Sequence, residues 1–133
     1  MKKFTSVNVA ISSLKMADDN FRMARMQHPN RSYDRYQKIA FLVNTALKEN
    51  ANLLVMPEAC TPQEWLSVLA RTSARNNMAI ITGVEHIFSG KNVYNLTAVI
   101  LPYTDKKIWC TKCIYILSFQ KSLCAWRIAA YSG

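Results

Sequence analysis

Residues 51–58 read Ala51-Asn52-Leu53-Leu54-Val55-Met56-Pro57-Glu58, and their reading decides the fold. Four consecutive apolar residues between Asn52 and Pro57 are too few for a helix and lack the alternation of a half-exposed strand. A short continuous run of this kind is how a strand covered on both faces reads. Proline stops it, because it brings no N–H to the ladder. Upstream, Ser32 can cap a helix running to about Glu49, with Tyr36, Ile39, Ala40, Val43, Ala46 and Leu47 on one apolar stripe. Asn50 and Asn52 end it. Downstream, Thr61 is expected as the N-cap of a second helix, with Pro62 at its first position and Glu64 three residues past the cap. Trp65, Leu66, Leu69 and Ala70 supply its buried side, and Asn76-Asn77 close it.

Farther out, Val7-Asn8-Val9-Ala10-Ile11 alternates and starts a short strand. Residues 15–31 are polar, contain Pro29 and read as a long loop, in which Asp18 and Asp19 form a solvated face rather than a metal site. Met78-Ala79-Ile80-Ile81-Thr82 reads as another buried strand, ended by Gly83. Ser89-Gly90-Lys91-Asn92 is a turn before a strand from Tyr94 to Leu101. Pro102 to Asp105 is expected to turn the chain, and Lys107 to Cys113 to return as the hairpin partner. The order strand, helix, strand, helix, strand, hairpin predicts an α/β fold with helices layered on a sheet.

The chain has 133 residues, half of them hydrophobic and 19% charged, which argues for a packed domain and against disorder. No apolar run is long enough to span a bilayer, and the stretch after Lys2 and Lys3 is too polar and short for a secretory signal, so a cytoplasmic location is expected. Cys60, Cys110, Cys113 and Cys124 are read as reduced thiols. Cys110-x-x-Cys113 has metal spacing but no second pair, so neither a metal nor a cofactor is expected. The net charge of +9 would suit an anionic partner, yet residues 106–133 alone hold five Lys/Arg and no Asp/Glu. That tail reads Ile-Tyr-Ile-Leu-Ser-Phe where a basic groove would interleave cations with turn residues. Nucleic acid is therefore disfavoured as a partner, although the Arg22, Arg25, Arg31, Arg35 series keeps a small basic binding module as the alternative.

Two residues stand out as chemistry. Glu58 follows the apolar strand directly, at the strand end where open α/β sheets place ligands, and partial desolvation there suits a general base. A solvated loop glutamate is the competing reading. Lys112 lies in the expected return strand among neutral residues, where it can stabilise an oxyanion or merely guard an edge.

The series Leu53-Leu54-Val55-Met56-Pro57-Glu58, then Gly83 after a strand, then Tyr94-Asn95 opening a strand toward Pro102, then Lys112 seventeen residues past Asn95, resembles the carbon–nitrogen hydrolase (nitrilase- and amidase-like) family. The likeness covers about residues 5–112. It implies the N-terminal half of a four-layer αββα sandwich, with Glu58 as general base and Lys112 as stabiliser of the tetrahedral intermediate. Members attack an amide or nitrile carbon with a cysteine thiolate, form a thioester and release it with water. The family cysteine lies some forty residues beyond the lysine, whereas this sequence has 21 residues after Lys112 and no carboxylate from Cys113 to Gly133. The expected division is thus a partial hydrolase domain over 1–112 and an atypical basic tail over 113–133, of a kind that truncation or a frameshift produces. Such a chain would be inactive by itself. Trp65-Leu66 and Gly83-Val84-Glu85-His86, with the short segment after Glu58, are similar to the nitrilase-like domain joined to some bacterial reverse transcriptases, in which Glu85 and His86 could line a site. If completed, the domain implies a small amide or nitrile substrate. A half-sandwich also implies self-association through an exposed apolar sheet face.

Overall fold

A computed structural model describes residues 6–15, 18–26, 28–89, 92–105 and 110–120. The elements are β1 (Val9–Ile11), α1 (Asp18–Arg25), α2 (Tyr33–Lys48), β2 (Leu53–Val55), α3 (Leu66–Asn76), β3 (Ala79–Ser89), β4 (Asn92–Asp105) and β5 (Cys110–Gln120). They form one mixed sheet in the order β1-β2-β3-β4-β5. The first three strands are parallel, each crossover carrying helix, and β3-β4-β5 is an antiparallel meander. The α/β expectation is met. Among the described residues no helix is long and apolar enough to cross a membrane.

Local chemistry accounts for the elements. Ser32 Oγ accepts from Arg35 N at 3.3 Å and caps α2, whose Ile39, Val43 and Ala46 are buried. The α2 exit turns through Asn50 at φ 53°, and α3 ends on Asn77 at φ 51°, the left-handed geometry asparagine tolerates at helix ends. Leu69, Ala70 and Ser73 form the buried side of α3. Tyr36 and Trp65 meet edge to face at 5.5 Å where the two helices approach each other. The core is continuous from α2 and α3 to the sheet through Leu54, Met78, Ile80 and Ile100, all fully buried. Truncating one of these to alanine should cost about 3 kcal/mol.

Several expectations change. Residues 15–31 are not one loop: Asp18–Arg25 is helical, and its buried Ala24 packs toward β3. Thr61 does not cap α3. It is fully buried in a bridge to Val84, its hydroxyl is taken by Thr82, and the helix enters through a 3₁₀ turn over Gln63–Trp65. Gly83 does not end a strand, because β3 runs through it to Ser89. The chain does not turn at Pro102–Asp105. β4 continues to Asp105, and Pro102 pairs with Cys113 beyond the last β3–β4 pair, Ile80↔Ile100. A missing N–H is tolerated where one ladder has already ended. The return strand is Cys110–Gln120, so the backbone of β5 crosses position 112 without interruption, while residues 106–109 and 121–133 lie outside the described ones.

Among the described residues the strands are covered on one face only. Side chains alternate, so Leu54, Ile80, Ala98 and Ile100 point to the helices, while Val9, Ile11, Val55, Ile81, Val99 and Leu101 point the other way and are half-buried or exposed. Among the described residues the sheet has one face covered by helices and one apolar face that none of them covers.

Candidate functional site

Beyond β2 the chain does not leave the sheet at once. Met56 N donates to Ile81 O at 2.8 Å, Gly83 N to Pro57 O at 3.2 Å, Thr61 N to Gly83 O at 3.1 Å and Glu85 N to Thr61 O at 2.8 Å. Residues 57–61 therefore follow β3 as an irregular extension of β2. Ala59 takes a positive φ of 55°, a conformation that costs an L-residue about 1 kcal/mol and needs its surroundings to hold it. The kink swings Pro57-Glu58-Ala59 across Gly83. A Cβ built there would lie 2.4 Å from Glu58 Cα, 2.6 Å from Ala59 N and 2.8 Å from Glu58 C. Glycine at 83 is a requirement of close backbone approach, not of strand termination.

The carboxylate is held from β4. Asn95 Nδ2 donates to Glu58 Oε1 at 2.5 Å. Asn95 sits opposite an irregularity in β3: Val84 pairs with Leu96 and Ile87 with Tyr94, so Glu85 and His86 together face one residue of β4. An extra residue of this kind bends a strand and re-aims its neighbours. Glu58 remains solvent-exposed at the carboxyl end of the parallel strands. This position, with an acceptor oriented by an amide donor, can take a proton from a nucleophile or water brought to it.

Lys112 is not brought to Glu58. The β4–β5 register sets its backbone opposite Tyr103, and Asn95 opposite Gln120. The eight residue steps of β4 from Asn95 to Tyr103 place it about 27 Å along the strand from the Asn95 position. The cause is the later turn. A hairpin closing at 102–105 would return Lys112 near Asn95, whereas the observed register, with Asp105 opposite Cys110, sets its backbone at the far end. Cys60, two residues beyond Glu58, is fully buried, with its sulfur 3.4 Å from both Thr61 Oγ1 and Thr82 Oγ1. It is packed among hydroxyls, away from solvent. Cys110, Cys113 and Cys124 are not among the residues whose side chains are described.

Next to this segment lies a second polar group that the sequence disguised. Glu85, nearly buried, accepts from Arg31 Nη1 at 2.8 Å and Arg35 Nη1 at 3.0 Å. Arg35 is itself buried, and its guanidinium also donates to Cys60 O at 3.1 Å and Asn30 O at 2.9 Å. Arg31 reaches Glu64 at 3.1 Å. Burial pushes the Glu64 carboxyl up, but its backbone hydrogen bond, the Arg31 side chain and the charges of Arg31 and Arg35 outweigh that and hold it below its ordinary value. Arg22 pairs with Asp19 on the α1 surface. Three members of the expected basic series are thus neutralised, and Arg35 also ties the chain at Cys60. A cleft of about 180 Å³ borders the group, lined by Arg31, Gln63, Glu64, Glu85, His86 and Phe88 among others. It is smaller than ordinary ligand pockets, and Glu58 does not line it. Among the described residues no cluster of His, Cys, Asp and Glu is arranged to hold a metal ion.

The lysine was legible as a residue but not as a position, since strand register depends on where a hairpin closes. Asn95 was visible only as the opening of a strand, and its contact with Glu58 spans 37 positions. Arg35 could have been found from helix phase: it falls four residues before Ile39, on the buried stripe of α2. No protein-family model and no curated protein sequence matches the chain.

Proposed function

We propose that this chain carries the general-base half of a carbon–nitrogen hydrolase site, with Glu58 as the base and Asn95 as the residue that orients it. The observation that carries the reading is the Pro57-Glu58-Ala59 crossing over Gly83, with the Glu58 carboxylate bound by Asn95. A loop glutamate left to solvent needs neither a left-handed alanine nor a glycine beneath it. The open apolar sheet face fits one half of a four-layer αββα sandwich, in which a second sheet would close over the Glu58 end.

Chemistry of this class needs a thiolate near the base. Cys60 does not supply it, being sealed between Thr61 and Thr82. The β5 register sets the backbone of Lys112 opposite Tyr103, away from Asn95, so the oxyanion role that the resemblance implies for it has no support from the strand pairing. By itself the chain is therefore proposed to be inactive on amides and nitriles, and its substrate, if completed, is a small amide or nitrile.

The test starts with the coding DNA beyond codon 112. A continuous frame that adds a strand-end cysteine would give a product releasing ammonia from amides or nitriles, with turnover lost in Glu58→Gln. Absence of such a frame, or turnover indifferent to Glu58→Gln, would remove the proposal. Turnover by the present chain that Glu58→Gln abolishes would keep the base and overturn the inactivity.

A further inference from the structure

We infer that Arg35 is a positioning residue for the Glu58 site, a role that rests on the reading of Glu58 as a base oriented by Asn95. Its guanidinium joins the segment that carries Glu58 to the part of β3 that faces Asn95, and so sets how the carboxylate meets the amide. Arg35 Nη2 donates to Cys60 O at 3.1 Å, just past the left-handed turn at Ala59. Its Nη1 donates to Glu85 Oε1 at 3.0 Å and to Asn30 O at 2.9 Å. Glu85 and His86 are the two β3 residues that lie opposite Asn95, between the pairs Val84↔Leu96 and Ile87↔Tyr94. One buried side chain therefore touches both structures on which the Glu58–Asn95 contact depends. The backbone bonds to Gly83 fix Pro57 O and Thr61 N at the two ends of the segment. Arg35 holds the Cys60 carbonyl between them, where the turn at Ala59 would otherwise be free to relax.

Stability alone does not account for an arginine here. It is 5% exposed, and among the described residues its Nε finds no hydrogen-bond partner. A buried N–H left unpaired is costly, and apolar residues of like volume in place of a buried ion pair often keep or raise stability. Position 35 lies on the same buried stripe of α2 as Ile39 and Val43, where such residues would fit. What arginine adds is a rigid planar fork whose two terminal nitrogens reach acceptors before α2, in β3 and beyond β2. Arg31 makes the contrast. It pairs with the other oxygen of Glu85 and with Glu64, on the outer side of the group.

Nuclear magnetic resonance on the full chain tests the role without any turnover. The Asn95 side-chain amide signals are set by the bond to Glu58, so Glu58→Ala should move them. Arg35→Met and Arg35→Lys should move them in the same direction. Lysine keeps a cation for Glu85, but one nitrogen cannot stand in both places from which the guanidinium donates. Amide hydrogen exchange separates positioning from a general loss of stability. In Arg35→Lys the protection of the Gly83, Thr61 and Glu85 N–H groups should fall about tenfold or more beyond any fall at the slowest-exchanging amides of α3 and β2. Arg31→Met also takes a cation from Glu85 and should leave the Asn95 signals and this protection as in wild type. Arg35→Lys decides the matter if Arg35→Met does not fold. Asn95 signals that answer to Glu58→Ala but not to Arg35→Lys would overturn the positioning role and leave the reading of Glu58 standing. So would protection lost evenly across the chain, or an equal effect of Arg31→Met. Signals indifferent to Glu58→Ala would remove the Glu58–Asn95 pair itself, and both readings with it.

Discussion

Alanine at position 83 should unfold the chain more easily, although glycine-to-alanine changes in strands usually help. Gly83 has no left-handed φ to defend, so the ordinary expectation is about 0.4 to 1 kcal/mol of stabilisation from reduced freedom in the unfolded chain. The structure reverses the sign. The new methyl would sit 2.4 Å from Glu58 Cα and 2.6 Å from Ala59 N, more than an ångström inside normal contact, and both neighbours are backbone. Relief requires Pro57-Glu58-Ala59 to lift away, at an overpacking cost of about 1 to 3 kcal/mol. Lifting also strains the Gly83 N–Pro57 O and Thr61 N–Gly83 O bonds, each contributing about 1 kcal/mol. The net is a loss of about 2 to 3 kcal/mol. With a urea m-value of about 1.5 kcal/mol/M, the midpoint should fall by about 1.5 to 2 M. Equilibrium urea unfolding followed by circular dichroism reads this directly. An alanine variant as stable as wild type, or more stable, would refute the close crossing and with it the support for Glu58.

Thr82→Val should cost about 1 to 2 kcal/mol, because it leaves the buried Thr61 hydroxyl without its 2.7 Å partner; the Thr61→Val/Thr82→Val double variant should cost less than the sum, and simple additivity in thermal melts would contradict the pairing. Arg35→Met should lose about 3 kcal/mol in urea unfolding, as it removes one of two cations from Glu85 and the donor to Cys60 O. Adding Glu85→Gln should recover part of that loss, and zero coupling would show that the pair is not a unit. Acid should weaken the Glu64 tie. Its carboxyl is held below the ordinary value in the fold, so the stability it adds is present above about pH 4.3 and is lost as pH falls through the folded value. The difference between wild type and Glu64→Gln should therefore shrink below that pH and stay small throughout, since the side chain is largely exposed. A difference growing toward low pH would have the wrong sign.

Helices α2 and α3 and the parallel core were legible because their signals are local, whereas α1 lay hidden in a polar stretch. Ser32 and Asn77 mark ends by their own hydrogen bonding and backbone geometry, and the α2 stripe repeats at helical spacing. Thr61 shows where local reading fails. Its sequence context is that of an N-cap, yet burial beside Thr82 gives its hydroxyl a better-protected partner than a helix N–H. Pro102 fails for a related reason: a proline marks a turn only where its missing N–H would be needed by a neighbouring strand. Short apolar runs also hide the difference between one covered face and two. Leu53 and Val55 are as apolar as Leu54, and only the layering leaves them facing outward. At the site, Glu58 was readable from its place after a strand. Its support was not, because Gly83 and Asn95 reach it through the tertiary fold.

The measurement that bears most directly on the proposed role of Glu58 is ammonia release from simple amides and nitriles by the product of a continuous frame through codon 112 that carries a strand-end cysteine. Glu58→Gln is predicted to lower kcat by about a thousandfold or more while leaving urea stability within about 0.5 kcal/mol. Undiminished turnover in Glu58→Gln, or no frame that supplies the cysteine, would contradict it.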